Sequence, residues 1–408
     1  MTNGSRARRW AAVVVLLAAS RGLAQEYECI VIDAFTLNYG LRETYIRDIS
    51  DEGVAVGTTT KATQGPGGTS IGYTGFYWTE AGDKVAIDLS WPRCVSNTGL
   101  IGGTLGVYDI VSTLVTPMPL LPSTWPPLEI LGINDAGVGV GYVQICNCSN
   151  SQGVLQKPYV WDAVTEARSL AVPGASGARR INNQGQIVGW IGGNSSTDGF
   201  VYDLNTNEYL LVSSLFAGTN VKTTATDIND NGVVTGWRLN FNGSIATAYT
   251  WSPAAGVTLL PFPPAGYQPY VNPAGINDAG VVVGSIYTAI ATQLAFVYDA
   301  AHGVRDLNSL TNAPAGFTLM SATAVNDHGW IVGIGYGGGG MYKSYVLKPR
   351  GIGCYADCTA DGQLTVADFG CFQGKYVLGD LYADCNGGGT LTVADFGCFQ
   401  TEYALGCP

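Results

Sequence analysis

Near its C-terminus the chain writes one oxygen-rich stretch twice. Asp357-Cys358-Thr359-Ala360-Asp361-Gly362-Gln363-Leu364-Thr365-Val366-Ala367-Asp368 returns 27 positions later as Asp384-Cys385-Asn386-Gly387-Gly388-Gly389-Thr390-Leu391-Thr392-Val393-Ala394-Asp395. Carboxylates, hydroxyls and amides at short regular intervals suit a hard cation, and glycine mid-stretch lets the chain turn sharply around it. Gly388 stands where the first copy has Asp361, so the second copy has one carboxylate fewer and a looser backbone.

Elsewhere the side chains that carry catalysis are sparse. There are two histidines, His302 and His328, and both fall in turn sequences, where a solvated role is expected. No Gly-x-Ser-x-Gly elbow, HExxH helix or phosphate-binding glycine loop is present. Gly337-Gly338-Gly339-Gly340 lacks a following lysine and reads as a loop. Paired carboxylates could hydrolyse glycosides, but nothing in one dimension selects a pair. Cys146-Asn147-Cys148 sits in a polar insertion, where a disulfide is expected. The pairing of Cys29 and Cys94 stays open.

These residues must be held by the elements around them, and most of those elements repeat. A nine-residue frame begins at Ile49, Val95, Ile133, Ile181, Ile228, Ile276 and Val325, at spacings of 46, 38, 48, 47, 48 and 49. Each copy has a β-branched residue, a polar pair, a free position, a glycine, three mostly apolar residues and a second glycine, as in Ile276-Asn277-Asp278-Ala279-Gly280-Val281-Val282-Val283-Gly284. The polar pair and first glycine predict a tight hairpin turn. An aromatic strand follows each frame, such as Gly75-Phe76-Tyr77-Trp78 or Ala295-Phe296-Val297-Tyr298, then a turn and a further strand. Four strands at a period in the forties predict the blade of a β-propeller, with the aromatic rows as core between blades. The seventh unit lacks its last strand, and Tyr27–Asp33 supplies one. The expected fold is therefore all-β: a seven-bladed propeller over 25–349 closed by its N-terminal strand, followed by a small, disulfide-stapled α-helical domain over 350–408.

Residues 1–24 read as a secretory signal peptide, with Arg6, Arg8 and Arg9 before an apolar run from Ala11 to Ala19 and cleavage near Ala24. No stretch has transmembrane length. The expected location is secreted or at the cell surface. The full sequence carries a net charge of −11, and the leader holds four of its 20 basic residues and no acid. Bulk attraction to nucleic acid is thereby excluded. Six of the ten cysteines lie between Cys354 and Cys407, which in an exported chain predicts disulfides. A pseudo-twofold pairing Cys358–Cys398 with Cys371–Cys385, and Cys354–Cys407 tying the ends, suits the duplication. Pairing within each copy, Cys358–Cys371 and Cys385–Cys398, obeys the same symmetry.

Each oxygen-rich stretch resembles the calcium loop of an EF-hand, and the tandem is similar to a dockerin; the cysteines and the ending Gly406-Cys407-Pro408 resemble the GC-type form found in planctomycete-like bacteria. The propeller frame resembles the extracellular HAF repeat. The resemblance implies Ca2+ held in the first loop by Asp357, Thr359, Asp361, the Gln363 carbonyl, Thr365 and Asp368. In the second it implies Asp384, Asn386, Thr390, Thr392 and Asp395, with weaker binding. A helix is expected from Val366 to about Tyr376. The implied partners are a cohesin-like or sorting partner for the tail and an extracellular glycan or protein for the propeller, the chain being a monomer. The expected function is a non-catalytic exported binding or scaffold protein. The rival is a dockerin-bearing propeller hydrolase or lyase acting on extracellular polysaccharide. Carboxylates clustered at the mouth of the channel would favour the rival.

Overall fold

The computed structural model describes residues 26–405 apart from 35–42, 66–67, 83, 119–123, 147–153, 163–166, 193–197, 218–220, 240–245, 338–339, 350–355, 357, 360–363, 380–382, 384 and 386–389. The leader, Gly337–Gly340 in part, Cys148, Cys354 and Cys407 therefore lie outside the described residues.

Each frame builds the inner hairpin of one antiparallel unit. All seven first glycines, Gly53 through Gly329, have φ between +72 and +83, so the turn takes the left-handed backbone that glycine tolerates best. The second glycine has a different reason. In six of the seven units the innermost strand, for example Thr223–Ile228 or Tyr267–Ile276, carries a register break at the residue two before the frame; in the second unit the break spans Ser90 to Cys94. The same break recurs at Ile46/Asp48, Ile130/Gly132, Ala178/Arg180 and Ala322/Ala324. It pushes a carbonyl toward the partner strand, and a Cβ at Gly284 would strike the Asn272 oxygen, as one at Gly236 would strike Thr224. Gly284→Ala is expected to cost about 2–3 kcal/mol through overpacking. Gly280→Ala, strained in φ but with nothing within 4 Å of its Cβ, should cost about 1 kcal/mol. Urea unfolding of the two variants ranks them, and equal costs would refute the close-approach account.

Five units stand as separate four-stranded sheets, not the seven separate blades expected. The strands of the second and third units are joined into one eight-stranded sheet. The cause lies in the short spacing of 38 between their frames. In the second unit, strands Leu100–Thr104 and Gly106–Asp109 are linked by Leu105 alone, at φ +69. The hairpin stops early enough for the next inner strand to pair with it at Glu129–Thr104, and Leu105 N donates to the Leu128 carbonyl at 3.0 Å.

The N-terminal strand β1 (Tyr27–Ile32) pairs antiparallel with Met341–Pro349 over six residues and completes the last sheet. Core clusters span neighbouring sheets: Ile46, Phe76 and Trp78 of the first unit pack with Ile32, Val332 and Val346 of the closing one. Six of the seven aromatic strands contribute a fully buried ring, at Phe76, Tyr159, Phe200, Tyr249, Phe296 and Tyr345.

In the tail, α1 (Val366–Val377) and α2 (Val393–Leu405) pack through duplicated phenylalanines, with Phe372 stacked on Phe399 at 4.1 Å. The disulfides are Cys358–Cys371 and Cys385–Cys398, which corrects the cross-copy pairing. In each copy the cysteine ahead of the helix is joined to one on that same helix, 13 residues on, at a Cα separation of 5.7–5.8 Å. Cys29 and Cys94 are free.

Candidate functional site

The two members of each polar pair do different work. The first is buried and shapes its own turn. Asn277 Oδ1 accepts from Val281 N at 2.9 Å, while its amide donates to the Asn326 carbonyl of the next unit at 3.0 Å. The second reaches around the ring. The N–H of Asp51 donates to Asn97 Oδ1, Asn97 to Asp135, Asp135 to Asn183 and Asn183 to Asp230. Asp230 donates to Asp278, Asp278 to Asp327, and Asp327 back to Asp51. Seven bonds of 2.7–2.9 Å thus close a circuit around a cavity of about 150 Å³. Turn chemistry explains the first residue of the pair; the circuit was not legible from one repeat.

Five of the seven side chains are carboxylates. The Asn97 amide bridges Asp51 and Asp135 at 2.7 and 3.3 Å, and that of Asn183 bridges Asp135 and Asp230 at 2.9 and 2.7 Å. Partial burial, with the carboxylates of Asp51, Asp278 and Asp230, pushes Asp327 above the usual range, against the hydrogen bond from Asp278 N. Each carboxylate has one oxygen committed to a neighbour's main chain, so the group locks the ring rather than presenting a free acid–base pair.

A second cavity, about 420 Å³, shares no lining residue with the first and is lined by all seven innermost strands. Both therefore lie on the axis of the ring. Arg47, Arg93, Arg179 and Arg180 line it, with Trp237, Thr226 and Thr323. The register breaks place them there: Arg47, Arg179, Thr226 and Thr323 are the residues the pairing skips, and a bulge re-aims side chains in this way. Arg180 crosses the axis. It meets Asp48 of the first unit at 3.7 Å and Asp227 of the fifth at 3.6 Å, and donates to the Leu131 carbonyl. Asp48 also accepts from Val95 N at 3.1 Å, and Asp227 from Ile276 N at 2.9 Å. Burial raises both acids, Asp227 to about 6, although Arg180 counters it.

In the same cavity Arg93 pairs with Glu129 at 3.1 Å. Arg179 lies 5.4 Å from the centre of the Trp190 ring, which rests on Gly177, where a Cβ would collide with the indole. Arg47 and Arg179 form no ion pair among the described residues. Loss of solvent in the channel lowers both from the ordinary arginine range, helped by Arg93 beside Arg47 and Arg180 beside Arg179. Sequence reasoning missed all four arginines. For three of them the available signal was the position two before each frame, which reads Arg47, Arg93, Leu131, Arg179, Thr226, Ala274 and Thr323, with Arg180 one residue further on.

Of the tail's expected ligands, Asp357, Asp361, Gln363, Asp384 and Asn386 lie outside the described residues. Thr359, Thr365 and Asp368 come together. Asp368, fully buried, accepts from Thr359 N and Oγ1 at 3.0 and 2.8 Å and from Thr365 N at 2.7 Å, capping α1. Asp395 accepts from Thr392 N at 2.6 Å in the second copy; Thr390 sits in the bend before it. Among the described residues no group of three His, Cys, Asp or Glu is placed to hold a metal. His302 Nδ1 meets Asp299 at 2.8 Å in an exposed turn, and His328 is exposed.

No protein-family model and no curated protein matches this chain. Among solved structures, the uncomplexed acylaminoacyl peptidase of Pyrococcus horikoshii aligns over 75% of this chain and 51% of its own, at 12% identity and a TM-score of 0.51. The fold is β-propeller-like. TolB from Acinetobacter baumannii aligns over 60% of this chain and 61% of its own, at 13% identity and a TM-score of 0.38. Dipeptidyl peptidase 4 of Porphyromonas gingivalis does so over 71% and 50%, at 8% and 0.41. The propeller-like chain spans about half to three fifths of these proteins, and at such identities the likeness is one of fold alone. Among the described residues no helix is long and apolar enough to cross a membrane. The disulfides fit an oxidising, extracellular compartment.

Proposed function

We propose that this is an exported, non-catalytic propeller of seven HAF-like blades, the eight-stranded sheet being two of them. It would bind a glycan or protein at one end of its ring and be sorted or displayed through a dockerin-like tail. The observation that carries the reading is the pair of axial cavities. At one end the clustered carboxylates are committed to the ring's own main chain; at the other a preformed cavity of about 420 Å³ has the size of a ligand site. Seven circuit members, one per frame, support the sevenfold count. Incubating the full chain with candidate polysaccharides tests the non-catalytic part: binding without chain cleavage is expected, and new reducing ends would refute it.

The tail reading rests on the convergence of Thr359 and Thr365, positions 3 and 9 of the loop, on the buried carboxylate of Asp368 at position 12. That oxygen-rich set fits Ca2+, which when bound would tie the loop to the start of α1. Its receptor would be cohesin-like or a sorting protein. Calorimetric calcium titration of the full chain is expected to show a tight site and a weaker one. Asp361→Ala should weaken the tight site roughly tenfold or more, since affinity follows the ligand charge count. A chain that ignores millimolar calcium, or a tight site unmoved by Asp361→Ala, would overturn the assignment.

A further inference from the structure

We propose that the arginine-lined end of the channel binds the end of an acidic polysaccharide, a chain of uronic acid residues. This deepens the binding reading above and rests on it. Three observations converge on it. The cavity presents two arginines, Arg47 and Arg179, with no ion pair among the described residues, in a chain of net charge −11. A guanidinium fork matches a carboxylate two bonds at a time.

The second observation is an exposed aromatic arc at the same end. Tyr45 and Trp91 each precede a channel arginine by two residues, and Arg93 lies 5.8 Å from the centre of the Trp91 ring. Tyr73 meets Trp91 at 5.2 Å and Tyr45 at 6.4 Å; Tyr45 meets Tyr342 at 6.0 Å, and Tyr342 meets Tyr336 at 5.5 Å. Four of the five are more than a third exposed, Tyr73 at 48%. An exposed surface has no packing reason to line up five aromatic rings. Their faces offer the apolar platform on which the C–H face of a pyranose rests. The third observation is backbone strain at the arc's centre: Trp91 is held at φ +51, a conformation a bulky residue adopts only when its surroundings impose it, and one that clusters at ligand clamps.

The Arg180 crossbar sets how the ligand enters. Arg180 lines the cavity and spans the axis between Asp48 and Asp227, so a chain is held by its end, a terminal uronate among the arginines and the following residues along the arc. Nucleic acid also offers anions and flat rings, but its dense phosphate charge is opposed by the acidic field of the whole chain.

The test uses the full chain in calorimetry with hexagalacturonate, its carboxyl-reduced neutral counterpart and an oligothymidylate. Binding of hexagalacturonate is expected, with at least tenfold weaker binding of the neutral hexamer and of the oligothymidylate. Arg47→Gln and Tyr73→Ala, both at solvent-reached positions, should each weaken hexagalacturonate about tenfold with melting temperature unchanged. Arg179→Lys should recover less than Arg179→Gln loses, because lysine lacks the fork. Equal binding of the neutral hexamer overturns the acidic class while leaving a binding propeller standing, and tighter binding of the oligothymidylate overturns the saccharide. Undetectable hexagalacturonate binding, or binding unmoved by both variants, overturns the site. Cleavage of the hexamer would instead refute the non-catalytic reading and leave the ligand class intact.

Discussion

Deleting residues 26–33 is expected to lower the stability of the ring by roughly 5 kcal/mol, from the loss of one buried and several half-buried apolar side chains. Strand β1 places Ile32 at 5% exposure and half-buries Tyr27, Ile30 and Val31. It also takes with it Glu26, whose carboxylate holds Arg305 at 2.6 and 2.8 Å. The ring is not left wholly open. Asp327 N still donates to Asp51 and the Asn326 amide to the Ser50 carbonyl, at 2.8 and 2.9 Å. The truncated chain should therefore stay compact, melt roughly 5–10 °C lower, and self-associate through the bared edge of Met341–Pro349. A synthetic peptide of residues 26–34 added in trans should restore part of the loss. Calorimetry and light scattering read both effects. A truncated chain with unchanged melting temperature and a monomeric mass would show that β1 is not the clasp.

Replacing Arg180 by methionine is expected to cost about 3 kcal/mol at pH 8, the range for removing one partner of a buried ionic group. Its loss leaves Asp48 and Asp227 facing each other's side of the channel with side chains only 16% exposed and no shared cation. The pH dependence has a definite sign. Burial already raises Asp227 from 3.8 to about 6, so its folded form holds the proton more tightly than the unfolded one. The stability this gives is fully present below about pH 4 and is lost as pH rises through 6. Without Arg180 both acids rise further, and at pH 5 protonation removes the uncompensated charge. The cost of the substitution should therefore shrink from pH 8 to pH 5, measured by urea unfolding at both. A cost independent of pH, or growing toward acid, would mean that Arg180 acts by packing alone.

What could be read in the sequence was what is local. A positive φ at the first glycine of each frame follows from a turn of a few residues, and the turn was legible in every copy. The second glycine was equally visible as a letter, yet its cause is a carbonyl displaced by a bulge on the partner strand. The arginines were hidden for the same reason. A bulge shifts which residues face the axis, and alternation counted along one strand misassigns Arg47 and Arg179. The spacing of 38 between Val95 and Ile133 signalled an irregular unit, but not that its hairpin would end at Leu105 and let the neighbour pair with it. The cystines could not be chosen because two pairings share one symmetry, and only the closeness in space of Cys358 to Cys371 and of Cys385 to Cys398 separates them.

The circuit of polar side chains bears on how such a repeat can be redesigned. Averaging the seven units would put aspartate at every second position of the polar pair, since five of the seven already carry it and only Asn97 and Asn183 do not. Consensus substitution ordinarily stabilises a protein. Here it would remove the two amides that each bridge a pair of carboxylates and set seven like charges around one small cavity. The units are thus alike in backbone but not exchangeable, and the two exceptions are what makes the average tolerable.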